Sequence, residues 1–413
     1  MGSVSEKETP GNVEISEDQN ITLEIYAWQD EKDRLNLLAD EYMKAHSGIK
    51  IHTNTIPDGE RVQTMQLAKS RDEQIDCLFA PNVEEVKLLQ DNGLVRDIES
   101  EIEASGLGEA FSDWYDSSGE SVRRCAVPYS MSRWAVFYNK KIFDARGIAY
   151  PEGDWTWQEY EDIAVALTDT QTEEKVYGSL SYRPDSNWWR VPARTRGAND
   201  PMNAEDLEKI KESVEWCYHL TYDLGAQQPY TEQMGNMEYS YAGKFLEGNV
   251  GMIFCGNWLI QMLNEEIEAE DLDFEYDIAP MPGWEEEEQY VIQDTAIAMI
   301  SSFTEYEKEA FDFIQFVAGE EGAAILAENQ ILPALKSDTI QGVYKSSITM
   351  PEHIENLYQK GKISTIPSNP LYADAMGICR DEVQKYLIQE QSLEQTFEQI
   401  EEQIEMLRKE NGI

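Results

Sequence analysis

Between Ile21 and Gly93, segments with strand periodicity alternate with segments of helical periodicity, and few folds accept that pattern. Ile21-Thr-Leu-Glu-Ile-Tyr-Ala alternates apolar and polar residues, as a half-buried strand does. Leu35, Leu38 and Tyr42 then share one helical face, with Asp30 as the expected N-cap. A second strand is expected over Ile49 to Thr55, a helix over Arg61 to Ser70, and a third strand over Ile75 to Ala80. After Pro81 a helix turns Val83, Val86 and Leu89 inward and stops at Asn92-Gly93. Strands that alternate with helices predict a parallel sheet covered by helices. At 413 residues the chain exceeds one such core, so two or more α/β lobes are expected.

Further along, Thr156-x-x-Glu159 is a capping box that opens a helix with Tyr160, Ile163, Ala164 and Leu167 on its apolar face. A longer helix is predicted from Glu205 to Tyr222, and a buried strand at Val250-Gly-Met-Ile-Phe. Thr304-x-x-Glu307 predicts a second capped helix, with Ala310, Phe313, Ile314 and Val317 inside. Leu393, Phe397, Ile400, Ile404 and Leu407 form a stripe on the last helix, too short for a coiled coil and read as an internal docking face. Residues 1–20 are polar and aperiodic, read as a disordered leader or tether.

The 33 basic residues stand against 80 acidic ones, a net charge of −47. Such a field repels phosphate backbones and anionic headgroups, which argues against nucleic-acid binding and bilayer adsorption and for a soluble monomer. No apolar run approaches the about 18 residues of a membrane helix. Cys77, Cys125, Cys217, Cys255 and Cys379 sit among apolar neighbours with no CxxC pair, so they read as small buried hydrophobes.

Enzyme signatures are lacking: there is no GxSxG, Walker A or GxGxxG. His46, His52, His219 and His353 show no metal-ligand spacing, and Asp271-x-Asp273-x-Glu275 has Tyr276 where a calcium loop needs glycine. Neither a cofactor nor a metal is expected. Ten Trp and 21 Tyr, several beside polar residues, point instead to carbohydrate recognition. There a pyranose face stacks on an aromatic ring while its hydroxyls bond polar side chains. Trp28-Gln29-Asp30 and Asn82 follow strands at the sheet edge where open α/β sheets hold ligands. Trp188, Trp189 and Arg190 lie in a polar, loop-like stretch, which favours stacking over core packing. Trp155, Trp157, Trp216 and Trp114 fall within helical patterns and are assigned to packing.

Several motifs follow one another in a set order: Val127-Pro-Tyr, Phe137-Tyr-Asn-Lys-Lys, Ile142-Phe-Asp, Gly147, Pro151, Trp155-Thr-Trp-Gln-Glu and Ala166-Leu-Thr. Phe245-Leu-Glu-Gly-Asn-Val-Gly-Met ahead of Gly256-Asn-Trp, Ile278-Ala-Pro-Met-Pro-Gly, Ala310-Phe-Asp-Phe-Ile-Gln-Phe-Val and Leu332-Pro333 continue it. This order resembles the extracellular solute-binding proteins of ABC importers, in the carbohydrate-binding branch related to maltose-binding protein. The resemblance implies an α/β, two-lobed periplasmic-binding-protein-like fold of type II. Its N-terminal lobe would comprise 21–132 plus 294–333, and its C-terminal lobe 133–293 plus 334–413. It implies hinge residues Tyr129, Ser130, Arg133, Gln293 and Asp294, a stacking Trp258 beside Asn257, and cleft-side Trp284 and Tyr372. It implies an oligosaccharide ligand, a membrane permease as partner, and a lipid-anchored precursor at the surface of a Gram-positive type cell. Arg133-Trp134 departs from the small polar residues usual there, which leaves the charge of the sugar open. A glycan-degrading enzyme and a binder of a non-sugar solute on the same fold remain the alternatives.

Overall fold

The computed structural model describes residues 20–412 except 58, 85, 119, 172–174, 183–185, 235–239, 286, 368 and 370. The leader expected at 1–20 therefore lies, but for Asn20, outside the described residues. The strands are β1 (Ile21–Ala27), β2 (Ile49–Thr55), β3 (Cys77–Ala80), β4 (Ala126–Asn139), β5 (Tyr177–Leu180), β6 (Val250–Gly256), β7 (Tyr276–Ala279), β8 (Tyr290–Ile300) and β9 (Lys362–Ser364). Every second residue of β1 is buried, and that face receives Leu35, Leu38, Ala39 and Tyr42 of helix Lys32–Ala45. β1 runs parallel to both β2 and β3. β3 is buried along its whole length, because apolar clusters cover both of its faces.

The strand order is β2-β1-β3-β8-β4-β6-β5, with β7 on β4 and β9 on β8. The two long strands explain how one path serves two lobes. The first half of β4 pairs with β8, and its second half, from Trp134 to Asn139, pairs with β6 and β7. The far end of β8 pairs with β3. β4 and β8 thus pass side by side from one lobe to the other. A register shift between Pro128 and Ser130 marks the crossing, and a bulge is where a strand tolerates proline. A third pass runs alongside, where Met131 N–H donates to Leu332 O and Ala334 N–H to Tyr129 O.

Each lobe has its own apolar core. The first gathers Leu23, Ile25, Phe79 and Phe313, with Leu78, Leu89 and Met299 on the other sheet face. The second gathers Trp157, Tyr160 and Phe254 on one face and Phe137, Ile253, Leu259 and Tyr344 on the other. Helix Glu320–Glu328 sits at the seam: Leu326 enters the first core, Ala323 and Ala327 the second.

Local signals mostly survive. The Thr156–Glu159 capping box forms with both of its bonds. Helix Ala204–Tyr218 starts at Asn203 and ends in a π turn, His219–Asp223. The final helix, Leu393–Glu410, buries Phe397, Ile400 and Ile404 in the second lobe's core, which also takes Cys379 and Val383 of helix Tyr372–Leu387. Two expected caps are corrected. Thr304 does not cap helix Glu307–Ala318; its hydroxyl donates to buried Asp76, a carboxylate that also collects Glu24 N–H and Gln74. Asp30 is exposed within the short turn Gln29–Glu31 and caps nothing. Its neighbour Glu31 is the buried acid, taking bonds from Arg34 and Tyr129. The five cysteines are buried and free, and burial pushes their thiols up. Among the described residues no helix is long and apolar enough to cross a membrane.

Candidate ligand-binding cleft

Where β4 and β8 pass between the lobes, a cavity of about 50 Å³ opens beside β8. The first lobe contributes Asn82, Val83, Trp114 and Ser118, and the crossing strand contributes Gln293, Asp294 and Thr295. Opposite stand Ile363, Thr365 and Ile366 of the second lobe. That volume holds little more than a water or two: the walls stand close together. Glu84 of the first lobe already reaches to 3.8 Å from Arg190 of the second. A larger hollow, about 480 Å³, lies at the outer end of β4 near Asn139, Lys141 and Phe274. No residue of the hinge borders it, and its cations are paired, Lys141 with Asp273 and Arg146 with Asp169.

The cleft floor is built from buried charge. Asp294 Oδ1 accepts from Arg194 Nη2 at 2.8 Å, while Oδ2 takes Arg194 Nη1 at 3.3 Å and the Trp134 indole N–H at 3.1 Å. Burial alone would raise the Asp294 carboxyl, but Arg194, Arg190 and the indole hold it below the usual range. Beside it, Gln293 Oε1 accepts from Arg133 Nε at 3.1 Å and Nη2 at 2.9 Å. Arg133 Nη1 donates to the carbonyls of Leu357 and Gln359, and burial lowers its pKa. Arg190 Nη1 bonds the Tyr372 hydroxyl at 2.5 Å. Burial opposes the Arg190 charge, but Tyr372, Glu84 and Asp294 outweigh it and hold its pKa up. Burial in turn pushes the Tyr372 hydroxyl up to about 12.

An aromatic group adjoins this floor. Trp134 meets Tyr182 and Trp258 edge-on, each at 5.4 Å, and the Trp258 indole N–H donates to the Tyr241 hydroxyl at 3.1 Å. Trp258 opens helix Trp258–Glu270 directly after β6. The glycine of Gly256-Asn-Trp has a steric reason: a Cβ there would lie 1.8 Å from the Trp258 ring. Asn257 is buried between these layers, accepting from the Arg133 N–H at 2.8 Å and donating its own to the Arg133 carbonyl.

Of the residues expected at the site, Asn82, Gln293 and Asp294 line the cavity itself, and Arg133, Arg190, Asn257 and Trp258 stand around the floor. Others fall elsewhere. Trp188 and Trp189, expected in a loop, belong to the short helix Trp188–Arg190 and are 2% and 1% exposed in the second core, where Trp188 faces Phe254. Tandem tryptophans in polar company pack inward here because the chain turns helical at Asn187 and carries both rings onto the sheet. Tyr129 is 1% exposed, packs on Phe79 and bonds Glu31, so it serves the first core. Ser130 is buried at the crossing, bridged to Pro333. Tyr372 is fully buried and reaches the site through its hydrogen bond with Arg190. Trp284 covers the Arg196 guanidinium at 4.4 Å and donates to Pro192 O, within its own lobe. Trp28, Gln29 and Asp30 border no part of the cavity, Trp28 packing on the first core with Gln29 and Asp30 exposed. Conversely Trp114, assigned to packing, lines the cavity as well as touching the first lobe's clusters.

Sequence reasoning missed Ser118, Thr295, Arg194 and the Ile363–Ile366 wall. The three-residue strand β9 carries no periodicity to find, and it is placed only by pairing with β8. One further grouping arises from the fold. Asp277, Glu352 and His353 each offer a ligand atom within 4.8 Å of the others. His353 Nδ1, however, bonds Asp277 at 2.6 Å, and Asp277 also takes the His353 and Ile278 N–H groups. Asp277 and His353 clasp a loop to β7.

The family model described as bacterial extracellular solute-binding protein matches residues 28–324. The chain belongs to that family. Structural neighbours share its fold at low identity. An ABC substrate-binding protein from Listeria monocytogenes, in complex with cycloalternan, is 21% identical with a TM-score of 0.79, covering 96% of this chain and all of that one. A sugar transporter protein from Rhizobium etli in an open conformation is 21% identical with a TM-score of 0.76, covering 92% of this chain and 98% of that one. A maltose-bound protein from T. maritima is 14% identical with a TM-score of 0.75, covering 94% and 100%. No curated protein sequence matches this solute-binding protein.

Proposed function

We propose that this solute-binding protein captures an oligosaccharide in the cleft beside β8 and delivers it to the permease of an ABC importer. One observation carries the reading: the cavity is walled by both lobes and floored by the strand that crosses between them, with Trp114 and polar amides facing in. An aromatic plane beside amides, hydroxyls and a carboxylate is the surface that a sugar ring needs. The structural neighbours named with cycloalternan and maltose support it.

The lobes are proposed to comprise 21–132 plus 294–333 and 133–293 plus 334–413. Ligand enters when they part, and contacts to both then favour the shut form that a permease would recognise. Ligand contacts are assigned to Asn82, Gln293, Asp294 and Trp258, with Arg133, Arg190 and Asn257 behind them. No bond is made or broken. The proposed setting is a monomer held outside the cell by a lipid anchor on the native precursor.

A thermal-shift screen against oligosaccharides tests the reading, because ligand binding to the native state raises the melting temperature. Chromatography of the recovered sugar should return it intact. Shortened products would replace binding by catalysis, and a melting temperature unmoved by any sugar would remove the carbohydrate.

A further inference from the structure

The hydrogen-bonding capacity left on the cleft floor is lopsided. Gln293 Oε1 is taken by two N–H groups of Arg133, which leaves its amide N–H pair as the group with capacity to spare. Asn82 Oδ1 is taken by the Glu84 N–H at 3.0 Å, which leaves the same donor pair on the opposite wall. Asp294, the carboxylate on this surface, has both oxygens held from behind by Arg194 and Trp134. Its charge is balanced inward. The two amides thus present their donors to the cavity, beside the Ser118, Thr295 and Thr365 hydroxyls, which can donate or accept.

The charge behind the floor has the same sense. Arg194 pairs with Asp294 at 2.8 Å, and Arg190 has Glu84 at 3.8 Å. Arg133 bonds only neutral acceptors, Gln293 Oε1 and the carbonyls of Leu357 and Gln359. Among the described residues it has no carboxylate within ion-pair distance. A guanidinium does not shed its proton, and a half-buried cation without a counter-ion is costly until an anion arrives. This positive centre stands out in a chain whose net charge is −47.

We infer that the cleft selects an acidic sugar, a uronate-type oligosaccharide whose carboxylate accepts from the Gln293 and Asn82 amide N–H groups in front of Arg133. The inference rests on the carbohydrate reading above and narrows it to a substrate class. In it, Arg133 is a positioning residue: it fixes the Gln293 oxygen inward, turns the amide donors to the ligand and supplies charge through that amide. Hydrogen bonds to a charged group are the stronger kind, so the carboxylate is worth about tenfold or more in affinity.

Calorimetry with matched pairs reads this out: galacturonate and glucuronate oligosaccharides against their carboxyl-reduced counterparts, which keep the skeleton and lose the charge. The acidic member of at least one pair should bind about tenfold tighter or more. Gln293→Glu exchanges the donor pair for a carboxylate that neutralises Arg133, and should erase most of that preference, read as the ratio of acidic to reduced-sugar affinity. Asn82→Asp makes the same exchange on the other wall and serves if the first variant does not fold. Reduced sugars that bind as well as or better than the acids overturn the inference and leave the carbohydrate reading standing. Binding of neither member of any pair, nor of any neutral oligosaccharide, overturns both. A preference that survives both substitutions overturns the assignment of these amides.

Discussion

Replacing Asp294 by alanine should destabilise the protein far more than a surface ion pair would suggest. Arg194 is 2% exposed, and both oxygens of Asp294 face it. Removing the carboxylate leaves a guanidinium shut away from water with, among the described residues, no opposite charge in contact. Breaking a buried pair from one side costs about 3–5 kcal/mol, against about 0–1 kcal/mol for an exposed pair. The Trp134 indole also loses its acceptor, adding about 1–3 kcal/mol if it stays buried and unmet. Urea denaturation of Asp294→Ala, Arg194→Met and the double variant checks the sum. The double variant should be more stable than Asp294→Ala, because no lone charge remains. The pH dependence has a definite sign. The folded-state pKa of Asp294 is lowered, so its contribution is full above the ordinary aspartate range and is lost as pH falls through the folded value. The single variant should therefore lose less stability than the parent on acidification below about pH 4. An Asp294→Ala cost under about 1 kcal/mol, or a double variant no better than the single, would refute the reasoning.

Gly256→Ala should displace the Trp258 ring, since the added Cβ falls 1.8 Å from it; near-UV circular dichroism should change, with overpacking costing about 1–3 kcal/mol in urea. Glu84→Gln weakens the contact from the first lobe to Arg190, so small-angle scattering of the ligand-free protein should show a larger radius of gyration, at a stability cost under about 1 kcal/mol. The Asp277 hydrogen bond raises the His353 pKa. That contribution is complete below the ordinary histidine value and disappears as pH rises through the raised one. His353→Asn should accordingly narrow the gap between melting temperatures at pH 6 and pH 9, and an unchanged gap would dissociate the clasp from stability.

Much of the framework was legible because it is written locally. The spacing of Leu35, Leu38 and Tyr42, the Thr156–Glu159 box and the stripe Phe397, Ile400, Ile404 all appear where their periodicity predicts. Side-chain destinations were less legible where a buried polar group elsewhere competes. Thr304 carries a capping motif, yet Asp76, more than two hundred residues away in sequence, needs a donor in the core and takes it. Trp188 and Trp189 have polar neighbours in sequence and apolar ones in space. Trp114 does two things at once, which no helical pattern can announce.

Chain order and periodicity by themselves determined the helix-covered sheets, since these follow from how each segment must bury its apolar face; length called for more than one lobe, and the hinge was legible only through the family resemblance. Tertiary structure alone decided which side chains meet the cleft. Asn82, Trp114, Gln293 and Ile363 lie on four separate segments, and only the passage of β4 and β8 between the lobes brings those segments to one gap. The polarity of that gap is likewise a property of contacts. An amide offers a donor or an acceptor to a ligand according to which of its atoms the fold has already engaged.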